Sequence, residues 1–121
     1  MYAFTYSKAS NVADAVGRLS DDGAKLLAGG QTLLPTMKQR LASPSTLVDL
    51  GGLKDLSGIE DKGDVLVIKA MTRHAEVAAS PVVATAIPGL EKLAGLIGDP
   101  AVRHKGTIGG SVANNDPSAD Y

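Results

Sequence analysis

The densest run of chemistry-bearing residues is Arg103 to Tyr121, R-H-K-G-T-I-G-G-S-V-A-N-N-D-P-S-A-D-Y. Gly106, Gly109 and Gly110 stand among the hydroxyl residues Thr107 and Ser111, and Asn114, Asn115, Asp116 and Asp120 come after them. Glycine lets a backbone enter the left-handed region and lets another molecule approach the main chain closely. Successive exposed N–H groups in such a turn form a concavity that suits an anion. The segment Thr107-Ile108-Gly109-Gly110-Ser111 is therefore expected to be a turn that cradles a phosphate or pyrophosphate. A plain tight turn is the competing reading. A second loop, Ala28-Gly29-Gly30-Gln31-Thr32, favours binding, because two such turns could grip one dinucleotide from two sides.

Neither loop reads G-x-G-x-x-G, so the Rossmann fingerprint is absent, and neither carries the G-K-[ST] of a triphosphate P-loop. A nucleotide here would be held by main chain and hydroxyls with little help from lysine. Hydrogen bonds to a charged phosphate contribute about 1.5–3 kcal/mol each. About four or five of them would leave tight binding after the cost of association.

Other candidate groups carry less. His74 and His104 are the only histidines, and neither has a partner at metal-ligand spacing. Both read as surface or helix-end residues. Asp116 and Asp120 could form an acid–base pair, but carboxylates beside a phosphate are repelled. A hydrogen bond to a sugar hydroxyl, or a turn before Pro117, explains them better. No Ser–His–Asp arrangement can be argued from spacing, so no catalytic side chain and no metal site are expected.

The elements that position these loops are legible from periodicity. Tyr2, Phe4 and Tyr6 alternate, which predicts a strand over Met1–Tyr6. Ser10 or Asn11 can cap a helix whose face is Val12, Ala15, Val16 and Leu19. Lys25–Ala28 reads as a buried strand leading into the first glycine loop. A helix over Thr32–Leu41 comes next, with Pro35 tolerable in its first turn, and its N-terminus faces any bound phosphate. Lys38 and Arg40 read as a solvated face. Thr46–Leu50 is a further strand, and Gly51-Gly52 marks a connection. The order is β-α-β-α-β over 1–52 and a second unit over 53–121.

In that second unit, Leu56–Glu60 and Val65–Ala70 predict a hairpin around Asp61-Lys62-Gly63-Asp64. Thr72 is placed to cap a helix ending at Ala79, and Ser80-Pro81 to open another. Leu90, Leu93, Ala94 and Ile97 keep helical spacing up to the stop at Gly98, Asp99 and Pro100.

Composition removes several classes. The chain has 121 residues, enough for one domain or two small subdomains. It is 44% hydrophobic but only 3% aromatic, so its core must be aliphatic and few rings remain to stack bases. A net charge of −1 supplies no basic patch for nucleic acid. The absence of cysteine rules out disulfides and thiolate-held iron–sulfur clusters within the chain. No transmembrane segment or signal peptide is expected, and a cytoplasmic location is. The chain stops at Tyr121, directly after its densest polar motif, so a fragment of a longer polypeptide is expected.

The runs L-L-A-G-G-Q-T-L-L-P-T-M-K-Q-R-L (Leu26 to Leu41) and R-H-K-G-T-I-G-G-S-V-A-N-N-D-P-S-A-D-Y resemble the FAD-binding subunit of molybdenum hydroxylases. The similarity is to the medium subunit of the carbon monoxide dehydrogenase type within the xanthine dehydrogenase family. L-V-D-L (Leu47 to Leu50) and A-M-T-R-H-A-E-V-A-A-S-P (Ala70 to Pro81) match as well, so the resemblance spans essentially the whole chain. It implies an α+β, PCMH-type FAD-binding fold of two small α/β subdomains, the second incomplete, with the dinucleotide between them. It implies cofactor contacts from Ala28, Gly29, Gly30, Gln31, Thr32 and Leu33, and from Thr107, Ile108, Gly109, Gly110 and Ser111. Asn114, Asp116 and Asp120 are implied as polar FAD contacts.

By the same resemblance, the chain is part of an oxidoreductase flavoprotein subunit in a hetero-oligomer. A large subunit with the molybdopterin cofactor oxidises the substrate. A small subunit with two [2Fe–2S] clusters carries electrons to FAD, which passes them to an external acceptor. The lack of cysteine agrees with clusters on another chain. The alternatives are a stand-alone flavoenzyme of the same broad fold and a truncated non-enzymatic interaction module. Two departures from the family pattern stand out. Lys69 occupies a position where family members commonly have glycine, and family chains continue past Tyr121 into residues that shield the flavin ring. Valine at Gly29 or Gly109 is expected to expel FAD and leave the aliphatic core folded.

Overall fold

The computed structural model describes residues 1–121. The chain divides into two compact units, Met1–Lys54 and Asp55–Tyr121.

The first unit runs β1 (Thr5–Lys8), α1 (Val12–Arg18), β2 (Ala24–Leu27), α2 (Leu33–Lys38) and β3 (Thr46–Asp49). The three strands form one parallel sheet in the order β1-β3-β2, with Thr5 and Ala24 both in register with Thr46. Successive side chains of a strand point to opposite faces. Leu47 and Val48 on the central strand are both buried, so both faces of β3 are covered. Ala15 of α1 and Met37 of α2 complete this apolar set.

Local chemistry explains the helix ends. Asn11 caps α1: its Oδ1 accepts from the Asp14 N–H at 2.8 Å. Asp14 in turn accepts from the Ser10 N–H at 2.8 Å and from Arg18 one turn on at 2.7 Å. The Arg18 guanidinium, then the Ser10 N–H, pull the Asp14 carboxyl down to about 2. Pro35 is the third residue of α2, and its missing N–H leaves a single gap in the first turn between the Leu34 N–H bond to Gly30 and the Thr36 N–H bond to Thr32. Arg40 takes a left-handed φ of 61° beyond the end of α2, and its guanidinium lies 5.4 Å from the Tyr2 ring centroid.

Two features of this unit depart from the sequence pattern. The first strand begins at Thr5 rather than Met1, because β3 offers partners only for Thr5 to Lys8. Tyr2, Phe4 and Tyr6 are exposed despite their alternation. Of the predicted α1 face only Ala15 is buried, while Val12, Val16 and Leu19 are exposed.

The second unit begins within a short 3-10 turn, Lys54–Leu56, and continues with β4 (Ile59–Asp61) and β5 (Leu66–Ile68). These pair antiparallel. Gly63, at φ +80°, turns the chain, and its N–H donates to Asp61 Oδ1 at 2.9 Å. Lys69 has a plain structural role here: its Nζ sits 2.7 Å from Glu60 Oε1 and ties the base of the hairpin together. Five helices complete the unit: α3 (His74–Ala78), α4 (Pro81–Ala86), α5 (Pro88–Leu96), α6 (Pro100–Arg103) and α7 (Ile108–Asn114). Their core is Val77, Val83 and Ala94, all fully buried, with Ile59, Leu66, Ile68, Leu90 and Tyr121 packed around them.

Proline opens three of the helices, where its fixed φ suits the first turn. Asp99-Pro100 is thus a start as well as a stop, because Asp99 Oδ1 accepts from the Val102 N–H at 2.9 Å and caps α6. Thr72 is not the cap of α3. It is fully buried, and its Oγ1 both accepts from the Gly58 N–H at 3.0 Å and donates to the Gly58 carbonyl at 2.9 Å. Arg73 is the cap residue, and its N–H donates to Glu76 Oε2 at 2.8 Å.

Candidate functional site

The first glycine loop leaves β2 at the carboxyl edge of the parallel sheet, where α/β units place their ligands. Gly30 sits at φ +75°, a conformation that costs other residues about 1–2 kcal/mol. An added Cβ there would also stand 2.9 Å from Leu34 Cδ1. The result is a row of donors. None of the main-chain N–H groups of Gly29, Gly30, Gln31, Thr32 and Leu33 donates a hydrogen bond within the chain. Intrahelical bonding starts only with the Leu34 N–H, which reaches the Gly30 carbonyl at 3.1 Å.

Side chains in the loop stabilise this shape without using those donors. Gln31 Nε2 folds back to the Gly29 carbonyl at 3.0 Å. Thr36 Oγ1 donates to the Thr32 carbonyl at 2.8 Å, while the Thr32 hydroxyl makes no capping bond. Ala28, Gly29, Gly30 and Leu33 are half-buried, and Gln31 and Thr32 are exposed. Unengaged N–H groups at a turn entering a helix are a fit for an anion of one or two phosphates.

The second glycine segment has a different structure from the expected turn. Thr107 is the N-cap of α7, and Ile108 to Ser111 form the first turn of that helix. The N–H donors from Ile108 to Ser111 are already engaged. Ile108 N–H donates to the Thr72 carbonyl at 3.0 Å and Gly109 N–H to the Ala70 carbonyl at 2.8 Å. Gly110 N–H donates to Thr107 Oγ1 and Ser111 N–H to the Thr107 carbonyl, both at 3.1 Å.

Gly109 in this segment answers to packing. A Cβ on Gly109 would lie 2.6 Å from both the Cβ and the carbonyl oxygen of Ala70. Valine at Gly109 would therefore disrupt the second unit itself. The expectation of a folded core with only FAD lost does not hold at that position. What the segment leaves open is the Ser111 hydroxyl, which makes no hydrogen bond in the chain, and the exposed side chain of Asn114 at the end of α7.

Asn115 closes α7 in the left-handed region at φ 50°. Asp116 Oδ1 accepts from the Ser118 N–H at 2.9 Å, a turn-forming role. Asp120 is exposed and makes no hydrogen bond. His104 is exposed and bonded to the Pro100 carbonyl within α6. His74, by contrast, is the first residue of α3 and buried, and its Nδ1 is hydrogen-bonded to Tyr121 Oη. No local pattern in the sequence joins those two residues. The chain holds no group of three His, Cys, Asp or Glu side chains arranged for a metal, and no helix is long and apolar enough to cross a membrane.

A family profile described as the FAD binding domain in molybdopterin dehydrogenase matches residues 2–121. The chain belongs to this FAD-binding domain family. Among curated relatives of the FAD-binding domain, the carbon monoxide dehydrogenase medium chain of Hydrogenophaga pseudoflava is 45% identical over 121 residues, covering 98% of this chain and 42% of the relative. The nicotine 6-hydroxylase medium subunit of Paenarthrobacter nicotinovorans is 38% identical, with 98% and 42% covered.

Solved structures agree. The carbon monoxide dehydrogenase of H. pseudoflava that lacks the Mo-pyranopterin moiety superposes with a TM-score of 0.93 at 44% identity, over 96% of this chain and 41% of that one. Quinoline 2-oxidoreductase from Pseudomonas putida 86 gives 0.92 at 38% identity, over 98% and 42%. The FAD-binding domain described here thus spans about two-fifths of the length of these relatives, and its α+β architecture is theirs.

Proposed function

We propose that this domain holds FAD in the flavoprotein subunit of a molybdenum hydroxylase. The observation that carries the reading is the row of free N–H donors from Gly29 to Leu33 at the sheet's carboxyl edge. A diphosphate bridge is the part of FAD that such a row suits, because it presents several anionic oxygens close together. Bonds of this charge-assisted kind contribute about 1.5–3 kcal/mol each. Ala28 belongs to the same loop and brings its backbone close to the cofactor. From the second unit, Thr107 and the first turn of α7, Ile108 to Ser111, contribute through close backbone approach and the Ser111 hydroxyl. Asn114 and Asp120 offer polar side chains to the sugar or the heterocycle, and Asp116 shapes the turn that carries Asp120.

None of these residues acts as an acid or base on a substrate. Their work is to bind and orient, which is the protein's usual share in a cofactor enzyme. When bound, FAD would supply electron transfer, from the [2Fe–2S] clusters of a small partner subunit, fed by a molybdopterin-bearing large subunit, to an external acceptor. A medium chain in such an assembly would carry no clusters of its own, in keeping with a sequence free of cysteine. The same reading puts the assembly in the cytoplasm, with the division into units 1–52 and 53–121 as two FAD-binding subdomains.

The test is Gly30→Ala in the full-length polypeptide. Strain in the left-handed region and contact with Leu34 should reshape the donor row and lower FAD affinity about tenfold or more, read from flavin fluorescence on titration. Undiminished affinity in a folded Gly30→Ala protein would remove the cradle from the account.

A further inference from the structure

His74 is 3% exposed at the start of α3. Its N–H donates to the Gly106 carbonyl at 3.1 Å, and its ring lies close enough to Gly106 that a Cβ there would stand 2.8 Å from Cδ2. Its Nδ1 is hydrogen-bonded to Tyr121 Oη, and the two ring centroids are 5.4 Å apart at 56°. The Tyr121 ring also packs on the Val77, Val83 and Ala94 core. Burial holds the His74 imidazole below its usual range, and burial with the Asp120 charge pushes the Tyr121 phenol up to about 12. Both rings are thus neutral around pH 7. The donor row of the first loop makes no use of this pair.

The segment between α7 and Tyr121 shows what the pair is for. The Asn115 N–H donates to the Val112 carbonyl at 3.2 Å and closes the helix. Beyond it, the bonds are internal: Ser118 N–H to Asp116 Oδ1, and Ala119 N–H to the Asp116 carbonyl at 3.0 Å. Every side chain from Asp116 to Asp120 is exposed, and no hydrogen bond joins these residues to α3, α4, α5 or the hairpin. The turn is anchored at one end by the α7 cap and at the other by Tyr121.

We propose that His74 is a positioning residue: through its bond to Tyr121 it fixes the Asp116–Asp120 turn and sets where the Asp120 carboxylate stands for FAD. The inference rests on the FAD-holding role above and adds the residue that aligns one of its contacts. His74 touches no cofactor itself. An unanchored Asp120 would have to be ordered at the moment of binding, which lowers affinity.

The experiment is a double-mutant cycle in the full-length flavoprotein, stripped of FAD and titrated with it. Tyr121→Phe removes the hydroxyl and keeps the ring in the core. It should weaken FAD binding about 3- to 10-fold, the range of one neutral hydrogen bond. In an Asp120→Asn background the same change should cost no further affinity, because the anchored group is already gone. An equal loss in both backgrounds overturns the proposal, since the effect would not travel through Asp120. Unchanged affinity in Tyr121→Phe, with Asp120→Asn weakened, also overturns it and leaves the cradle reading standing.

A second pair guards against loss of folding. His74→Asn keeps a polar atom near the Nδ1 position and should retain most of the affinity that His74→Leu loses. Equal affinities in folded samples of the two contradict the positioning role. Normal FAD affinity in Asp120→Asn refutes the inference, whereas normal affinity in Gly30→Ala refutes the reading beneath it.

Discussion

Alanine at Gly109 sets local preference against long-range packing, and the structure decides the sign. Gly109 lies in the first turn of α7, where alanine would ordinarily favour the helix by about 0.8–1 kcal/mol. Its Cβ, however, would stand 2.6 Å from the Cβ and 2.6 Å from the carbonyl oxygen of Ala70. Ordinary contact begins near 3.4 Å, and here the obstacle is main chain that cannot rotate away. Relief requires α7 and the Ala70 segment to separate, which stretches the Gly109 N–H bond to Ala70 (2.8 Å) and the Ile108 N–H bond to Thr72 (3.0 Å). Overpacking of this kind costs about 1–3 kcal/mol, and each hydrogen bond weakened without a replacement about 1 kcal/mol more. Set against the helix gain, Gly109→Ala should destabilise the second unit by about 2–4 kcal/mol. The assay is urea unfolding of the full-length protein, with the second unit followed by hydrogen exchange at Ile108 and Gly109. A midpoint equal to that of the parent, with both amides still protected, would refute the close approach of α7 to Ala70.

Buried and capped polar groups give two further outcomes. Thr72→Val keeps the shape of the side chain but leaves the Gly58 N–H and carbonyl without their Oγ1 partner; it should cost about 1–3 kcal/mol in chemical denaturation. Asp14 has a folded pKa of about 2, below its usual value of 3.8, so on acidification the unfolded chain takes up its proton first. Its contribution is therefore complete above about pH 4 and drains away as pH falls toward about 2. A pH series of unfolding midpoints should show this slope in the parent and a shallower one in Asp14→Asn.

Features set by nearby residues were legible in the sequence. Asn11 caps α1, Pro35 falls in the first turn of α2, Ser80-Pro81 opens α4, and Gly98 at φ +51° ends α5. Features set by distant residues were not. Thr72 resembles a cap because a helix starts just beyond it, but its hydroxyl belongs to Gly58 across the hairpin base. Gly109 and Gly110 resemble a turn, yet Gly109 is required by Ala70, which periodicity cannot reveal. Tyr2, Phe4 and Tyr6 alternate like a half-buried strand, but residues before Thr5 have no pairing partner. The candidate site divides the same way. The first loop leaves its donors from Gly29 to Leu33 free, whereas the second turns those from Ile108 to Ser111 inward on its own unit. His74 lacks any local signature because its partner, Tyr121, comes from the other end of the second unit.

The donor row from Gly29 to Leu33 carries the central claim, and a structure of the full-length flavoprotein with FAD bound measures it directly. The predicted result is diphosphate oxygens at about 2.7–3.2 Å from at least two of those main-chain nitrogens. A diphosphate bound elsewhere, with the five N–H groups facing only water, would contradict it.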